Sequence, residues 1–76
     1  MRPPKPGEYA KRRKDRAGGY RYLYRVERDD GNGLLSVCEA GYLDNANRLH
    51  PPSYPGRCFI RADEVMACDG SGKALK

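Results

Sequence analysis

Residues 20–27 carry the strongest structural signal in the chain, an alternation between two kinds of residue at every second position. Successive side chains of a β-strand point to opposite faces of a sheet, so this period of two predicts a strand. One face of the strand would be aromatic and the other largely charged. The two sets are Tyr20, Tyr22, Tyr24 and Val26 on the first face, and Arg21, Leu23, Arg25 and Glu27 on the second.

Three further strands are predicted downstream. Residues 29–33 supply the Gly and Asn residues that a turn of about five residues needs, and an apolar run resumes at residues 34–42, so we expect a hairpin. Gly41, within that run, predicts a bulge or the end of the strand. The last two strands are shorter and are separated by a tight turn at residues 62–64, and they cover residues 57–61 and residues 65–68.

These four strands lead to a fold prediction for a short chain. With 76 residues, 38% of them apolar, one Phe and no Trp, the chain can form one domain with a small core. We expect a mostly β domain over residues 20–70, either a small four-stranded, strongly bent antiparallel sheet or an SH3-like or Sm-like barrel. Residues 44–56 form a long loop in this prediction, and residues 71–76 form a frayed tail.

The positive charge is concentrated in the N-terminal third of the chain. Residues 1–28 contain ten Lys and Arg against three Asp and Glu, a net charge of +7, whereas residues 29–76 contain five against seven, a net charge of −2, and the sum is +5. Residues 1–19 also hold three Pro and three Gly and few apolar side chains. Such a segment buries too little apolar surface to offset the entropy of ordering it. We therefore expect a flexible basic arm at residues 1–19.

The arm and the first strand together predict a nucleic-acid-binding surface without enzymatic activity. Cationic side chains gain affinity for a phosphate backbone by releasing its counterions, and exposed tyrosine rings stack on unpaired bases, which favours single strands. The predicted binding residues are Lys11, Arg12, Arg13, Lys14, Arg16, Arg21, Tyr22, Tyr24 and Arg25. A competing interpretation assigns the tyrosines to the inward face of the strand and the arginines to its solvated outer face.

A second hypothesis keeps the same cationic residues but changes the partner. The chain would then be a small protein-interaction regulator or inhibitor that binds an acidic surface on a larger host protein that processes nucleic acid. Phages and mobile elements carry short accessory proteins of this kind. Steep salt dependence through the arm would favour nucleic acid, whereas a protein partner would also require Tyr42, Tyr54 or the proline-rich loop.

Residue spacing argues against a metal site and against catalysis. Cys38, His50, Cys58 and Cys68 have the atoms for a zinc site, but they are separated by eleven, seven and nine residues, whereas structural zinc ligands usually come in close pairs. His50 is the only histidine, and it precedes two prolines in the predicted loop. We expect no cofactor, no metal, no catalytic residues and no small-molecule substrate.

The cysteine pattern and the hydropathy of the sequence predict the cellular compartment of the protein. Three cysteines without a Cys-x-x-Cys motif fit neither a disulfide scaffold nor a redox motif. No run of 18 apolar residues is present, and no apolar stretch of signal-peptide type follows the N-terminus. We expect a cytoplasmic protein with reduced cysteines and no membrane partner.

Overall fold

The computed structural model describes residues 3–13, 21–53 and 55–75, which form an antiparallel sheet. The described residues contain six strands, one 3-10 helix and no α-helix, so the prediction of a mostly β, antiparallel fold is confirmed and the predicted count of four strands is too low. The strands are β1 (Tyr9–Arg12), β2 (Arg21–Gly31), β3 (Leu34–Leu43), β4 (Leu49–His50), β5 (Arg57–Arg61) and β6 (Val65–Cys68), and the 3-10 helix is Ala62–Glu64.

The sheet curls into a half-barrel. Its strand order is β4-β3-β2-β1-β6. β5 also pairs with β3, along the same edge as β4 but at the opposite end of that strand. Ile60 of β5 and Val65 of β6 come from opposite ends of the sheet but belong to one buried cluster. Contact between the two ends requires that the sheet bend toward that cluster.

The two faces of the sheet carry separate apolar clusters. We call the concave side the inner face; its buried residues are Ala10, Tyr24, Val26, Leu35, Val37, Ile60 and Val65. We call the opposite side the outer face; its buried residues are Leu23, Leu43 and Cys68, with Tyr9, Ala40 and Leu49 partly buried against them. Because successive side chains of a strand point to opposite faces, the few apolar residues are divided between two clusters.

β1 contradicts the prediction of a flexible arm. Residues 9–12 pair with β2 on one side and with β6 on the other, and Ala10 is 0% exposed. Two further backbone bonds extend these ladders, from Gly7 N–H to the Val26 carbonyl (2.8 Å) and from Arg13 N–H to the Glu64 carbonyl (3.0 Å). A strand with neighbours on both sides is stabilised by its backbone hydrogen bonds and needs little apolar surface of its own. The rest of the predicted arm, residues 14–19 with Lys14 and Arg16, lies outside the described residues, as do residues 1 and 2.

The C-terminal segment contradicts the prediction of a frayed tail. Ala74 forms a β-bridge with Cys68, and Leu75 N–H donates to the Ala67 carbonyl (2.9 Å). Asp69 Oδ1 accepts from the backbone N–H groups of the turn that reverses the chain, and Gly72 of that turn lies against the Leu43 side chain. Residues 69–75 therefore cover the outer edge of β6 and part of the outer-face cluster, and Lys76 lies outside the described residues.

The predicted turns and loop are present in modified form. The β2–β3 hairpin closes through a two-residue turn rather than five, because Asn32 (φ 55°) and Gly33 (φ 77°) both adopt the positive φ of a type I′ turn. The turn predicted at residues 62–64 is the 3-10 helix. The predicted long loop contains β4, a strand of two residues. No helix long and apolar enough to cross a membrane is present in the described ranges.

The substitution Ala10→Asp tests whether β1 is part of the fold. It would place an unpaired charge in the inner-face cluster, and we expect the free energy of unfolding to fall by about 3 kcal/mol or more. The matched control, Ser53→Asp, puts the same side chain in an exposed loop and should change stability by about 0.5 kcal/mol or less. Urea unfolding followed by circular dichroism measures both. Equal, small effects would contradict an integral β1.

Candidate nucleic-acid interface

A bulge in β3 determines which of its side chains reach the inner face. Leu23 of β2 is opposite Gly41, but the next residue, Tyr24, is opposite Glu39, so Ala40 is an extra residue in β3. Val37 lies on the inner face before the bulge, whereas Leu43 after it packs in the outer-face cluster. The bulge predicted from Gly41 is confirmed. It shifts the alternation by one residue and so places Tyr42 on the inner face.

Three aromatic side chains then lie side by side on the inner face. Tyr42 is opposite Tyr22 of β2 on one side and opposite His50 of β4 on the other. The Tyr42 and His50 rings stack with centroids 4.9 Å apart and planes 12° apart. Tyr22 is 44% exposed and Tyr42 is 41% exposed. We call Tyr22, Tyr42 and His50 the aromatic row; it spans three adjacent strands, about 10 Å at the usual strand spacing.

Asp44 contacts the His50 end of the aromatic row. Its Oδ2 lies 2.7 Å from His50 Nε2, and its Oδ1 accepts from the backbone N–H groups of Ala46 (2.8 Å) and Arg48 (2.9 Å). The hydrogen bond with His50, followed by these backbone bonds, lowers the pKa of Asp44 from its ordinary value. The carboxylate therefore fixes both the loop and the imidazole that stacks on Tyr42.

Arg21 is engaged by the same loop. Its guanidinium donates to Asn47 Oδ1 (2.6 Å) and to the Asp44 backbone carbonyl. Asn47 itself adopts a positive φ of 59°. Arg21, one of the predicted nucleic-acid-binding residues, thus has a structural contact that supports the His50 end of the row.

Arg12 lies at the other end of the row. Lys11 is the partner of Leu23 in the β1–β2 ladder, so Arg12 and Tyr22 follow as neighbours on the inner face. The Arg12 guanidinium lies over the Tyr24 ring (5.6 Å to the centroid), and its Nη1 is 3.7 Å from Glu64 Oε2. Among the described residues, its buried Nε has no hydrogen-bond partner. Arg12 therefore retains a donor that no described group uses.

A cavity of about 290 Å³ lies beside Arg12. Among the described residues it is lined by two cationic and two acidic side chains: Arg12, Arg13, Asp63 and Glu64. The exposed Arg13 thus adds a second cation beside Arg12.

The structure divides the predicted binding residues between the two faces. Tyr24 is on the inner face but only 8% exposed, so its ring is part of the core. Lys11 and Arg25 lie on the outer face, where the Arg25 guanidinium is 5.0 Å from the Tyr9 ring centroid and donates to the Tyr9 hydroxyl (2.9 Å). Of the nine predicted residues, Arg12 and Arg13 line one cavity and Tyr22 is a neighbour of Arg12, whereas Lys14 and Arg16 lie outside the described residues.

The nucleic-acid site predicted from the sequence leaves out Tyr42, Asp44 and His50, and Tyr42 is predicted only as a contact of the alternative protein partner. The two prolines after His50 predict a surface loop, and the two-residue strand that contains His50 has no detectable period. The available signal was the Asn32–Gly33 turn combined with a bulge at Gly41. Together they give the register that places Tyr42 opposite Tyr22.

The cysteines do not converge on a common site. Cys38 is half-buried and Cys58 exposed, on adjacent strands, and the two are offset by one residue so that their side chains point to opposite faces. Cys68 is buried, and desolvation raises its pKa to about 11. Within the described ranges, no group of three or more His, Cys, Asp and Glu side chains could hold a metal ion.

Comparison of the chain with protein-family models, with curated proteins and with solved structures finds no match. The geometry of the site therefore supplies the evidence on function.

Gly41→Ala is expected to displace His50 from Tyr42. A Cβ at Gly41 would collide with the His50 backbone carbonyl, and the positive φ of 136° also disfavours a side chain. We expect a loss of about 2 kcal/mol or more in unfolding free energy and loss of the ring-stacking shifts in the NMR spectrum. Gly33→Ala is the control; its φ is also positive, but no atom lies within 4 Å of the new Cβ. An undisturbed Tyr42–His50 stack in Gly41→Ala would contradict this role for Gly41.

The Asp44 carboxylate makes stability depend on acid pH. Because folding lowers the pKa of Asp44, the carboxylate stabilises the fold above its ordinary pKa, and this contribution is lost as pH falls through the lower folded-state value. The difference in unfolding free energy between wild type and Asp44→Asn should therefore be largest near neutral pH and shrink below about pH 4. Asp63→Asn, which removes an exposed partner of Arg61, is the control. A difference that stays constant down to pH 2 would refute the charge-based contribution.

Proposed function

We propose that the protein is a non-enzymatic module that binds single-stranded nucleic acid on its inner face. The observation that carries this proposal is the aromatic row, whose Tyr22 follows Arg12 as its neighbour on the inner face, while Arg13 lines a cavity with Arg12. In this proposal the exposed rings stack on bases, and the two arginines contact the phosphates that follow.

The ring geometry supports stacking on unpaired bases. Tyr42 and His50 already form a nearly parallel pair, so a base can extend this column on a remaining ring face. Stacking of a base on an aromatic side chain contributes about 1–3 kcal/mol, and it accepts any base because each presents a π-face. Bases in a duplex are stacked on their neighbours, and a row on a concave face favours a flexible single strand.

Charge supplies the sequence-independent part of the proposed affinity. The chain has 15 Lys and Arg against 10 Asp and Glu. The ion pair between Arg12 Nη1 and Glu64 is long at 3.7 Å. A phosphate can therefore be accommodated beside Arg12 without breaking a close contact.

We also propose that the sheet is an SH3-like or Sm-like barrel. It is supported by the path β5-β3-β2-β1-β6 through the sheet and by the 3-10 helix that joins β5 to β6. A small, partly open barrel of this kind offers one strand face and its adjoining loops to a nucleic acid.

Titration of labelled oligonucleotides at two salt concentrations tests the proposal. Wild type should bind a single strand more tightly than a duplex, and Tyr22→Ala or Tyr42→Ala should each weaken binding by about fivefold to a hundredfold. Phe59→Ala, which removes a more exposed aromatic ring on the outer face, is the matched control and should leave affinity unchanged.

A charge-matched pair of double variants separates local contacts from net charge. Neutralising Arg12 and Arg13 to Gln should lower the slope of log affinity against log salt by about 1–2. Neutralising Arg57 and Arg61 to Gln removes the same charge on the outer face and should lower it less. If wild type binds neither oligonucleotide at low salt, the nucleic-acid proposal fails, and an acidic protein surface becomes the favoured partner of these arginines.

A further inference from the structure

The sheet has one long edge without a partner among the described residues. β4 closes one edge with only two residues, and residues 74–75 cover the outer edge of β6. β5 is five residues long and pairs only with β3 in the described structure. Unpaired edge strands present backbone donors and acceptors on which another extended chain can be added.

The ladder between β3 and β5 shows which backbone groups face outward. Glu39 N–H donates to the Gly56 carbonyl (3.0 Å), and Ala62 N–H donates to the Gly33 carbonyl (2.8 Å), at the two ends of the ladder. Hydrogen-bonded and non-hydrogen-bonded pairs alternate in an antiparallel ladder. The residues whose N–H and carbonyl groups point away from β3 are therefore Arg57, Phe59 and Arg61.

The same three residues place their side chains on the outer face. Phe59 is 65% exposed and is flanked by the largely exposed Arg57 and Arg61. Their acidic contacts, Glu27 at 3.4 Å and Asp63 at 3.0 Å, are surface ion pairs that contribute little. β5 thus combines an open backbone edge with a cation–aromatic–cation sequence of side chains.

We propose that β5 receives an extended acidic segment of another protein as an added strand. Three outward N–H and three outward carbonyl groups provide main-chain hydrogen bonds, as in other complexes formed by strand addition. Acidic residues of the segment face Arg57 and Arg61, and an apolar residue between them packs on Phe59. This surface is separate from the aromatic row on the inner face, so both partners can bind at once.

Charge disfavours a second copy of this chain as the occupant. A symmetric antiparallel pairing of two β5 strands centred on Phe59 would place Arg57 of each copy opposite Arg61 of the other. Like charges in directly opposite cross-strand positions are destabilising. The same pairing with an acidic segment replaces both repulsions by attractions.

A synthetic peptide provides the probe, with the sequence acetyl-Thr-Glu-Thr-Leu-Thr-Glu-Thr-amide. Its Glu, Leu and Glu residues match Arg57, Phe59 and Arg61 in either strand direction. The wild-type chain should bind it at least tenfold more tightly than the same peptide with Lys in place of Glu. The double variant Arg57→Glu, Arg61→Glu should reverse this preference, and amide shifts in an NMR titration should concentrate on residues 57–61.

A backbone variant distinguishes strand addition from simple charge attraction. Phe59→Pro removes an outward N–H that β3 does not use, which an edge strand tolerates, whereas Phe59→Thr keeps it. Peptide affinity should fall at least tenfold further in Phe59→Pro than in Phe59→Thr.

Several outcomes would overturn the proposal: no binding of the acidic peptide, equal binding of both peptides, an unreversed preference in the charge-swapped variant, or a dimer that excludes the peptide in sedimentation. Far-UV circular dichroism confirms folding of each variant. Oligonucleotide binding measured on the same variants keeps this result distinct from that of the inner-face proposal.

Discussion

The contact between Gly41 and the His50 backbone is the constraint on which the candidate site depends. No side chain fits at Gly41, because a Cβ would occupy the position of the His50 carbonyl oxygen. The extra residue beside it, Ala40, changes the alternation of β3, so that Tyr42 lies on the inner face and Leu43 on the outer face. Without the bulge, Tyr42 would point away from Tyr22 and the rings of β2, β3 and β4 would not adjoin.

The other consequence of strand alternation is a sheet that is stabilised on both faces. A chain with one Phe and no Trp fills its inner-face cluster with Val, Leu, Ile and Tyr24, and a second cluster around Leu23 lies on the outer face. Each cluster needs a cover that a four-stranded sheet would lack. β1, which lies between β2 and β6, completes the first, and residues 69–75 lie over part of the second. The two terminal segments are thus part of the fold.

The sequence was informative where a residue pattern alone determines the structure. The alternation in β2, the Gly41 bulge and the turn at residues 62–64 all follow from local chemistry, and all three are present. β1 could not be predicted, because Ala10 is its only buried side chain and its stability comes from hydrogen bonds to two strands distant in sequence. The aromatic row depends on register across three strands, and β4 is too short to show any period.

Alternation also divides the arginines between the two faces of the sheet. Arg12 reaches the inner face and Arg25 the outer face, and Arg57 and Arg61 add charge at the edge of the outer face. Both proposed partners are anionic, so charge alone cannot separate them. A single-stranded nucleic acid lacks the regular amide donors and carbonyl acceptors that the edge of β5 pairs with, and an acidic peptide lacks the flat bases that extend the Tyr42–His50 column. Under these two proposals, selectivity between the surfaces comes from backbone pairing at β5 and ring stacking on the inner face, with charge contributing to the affinity of both.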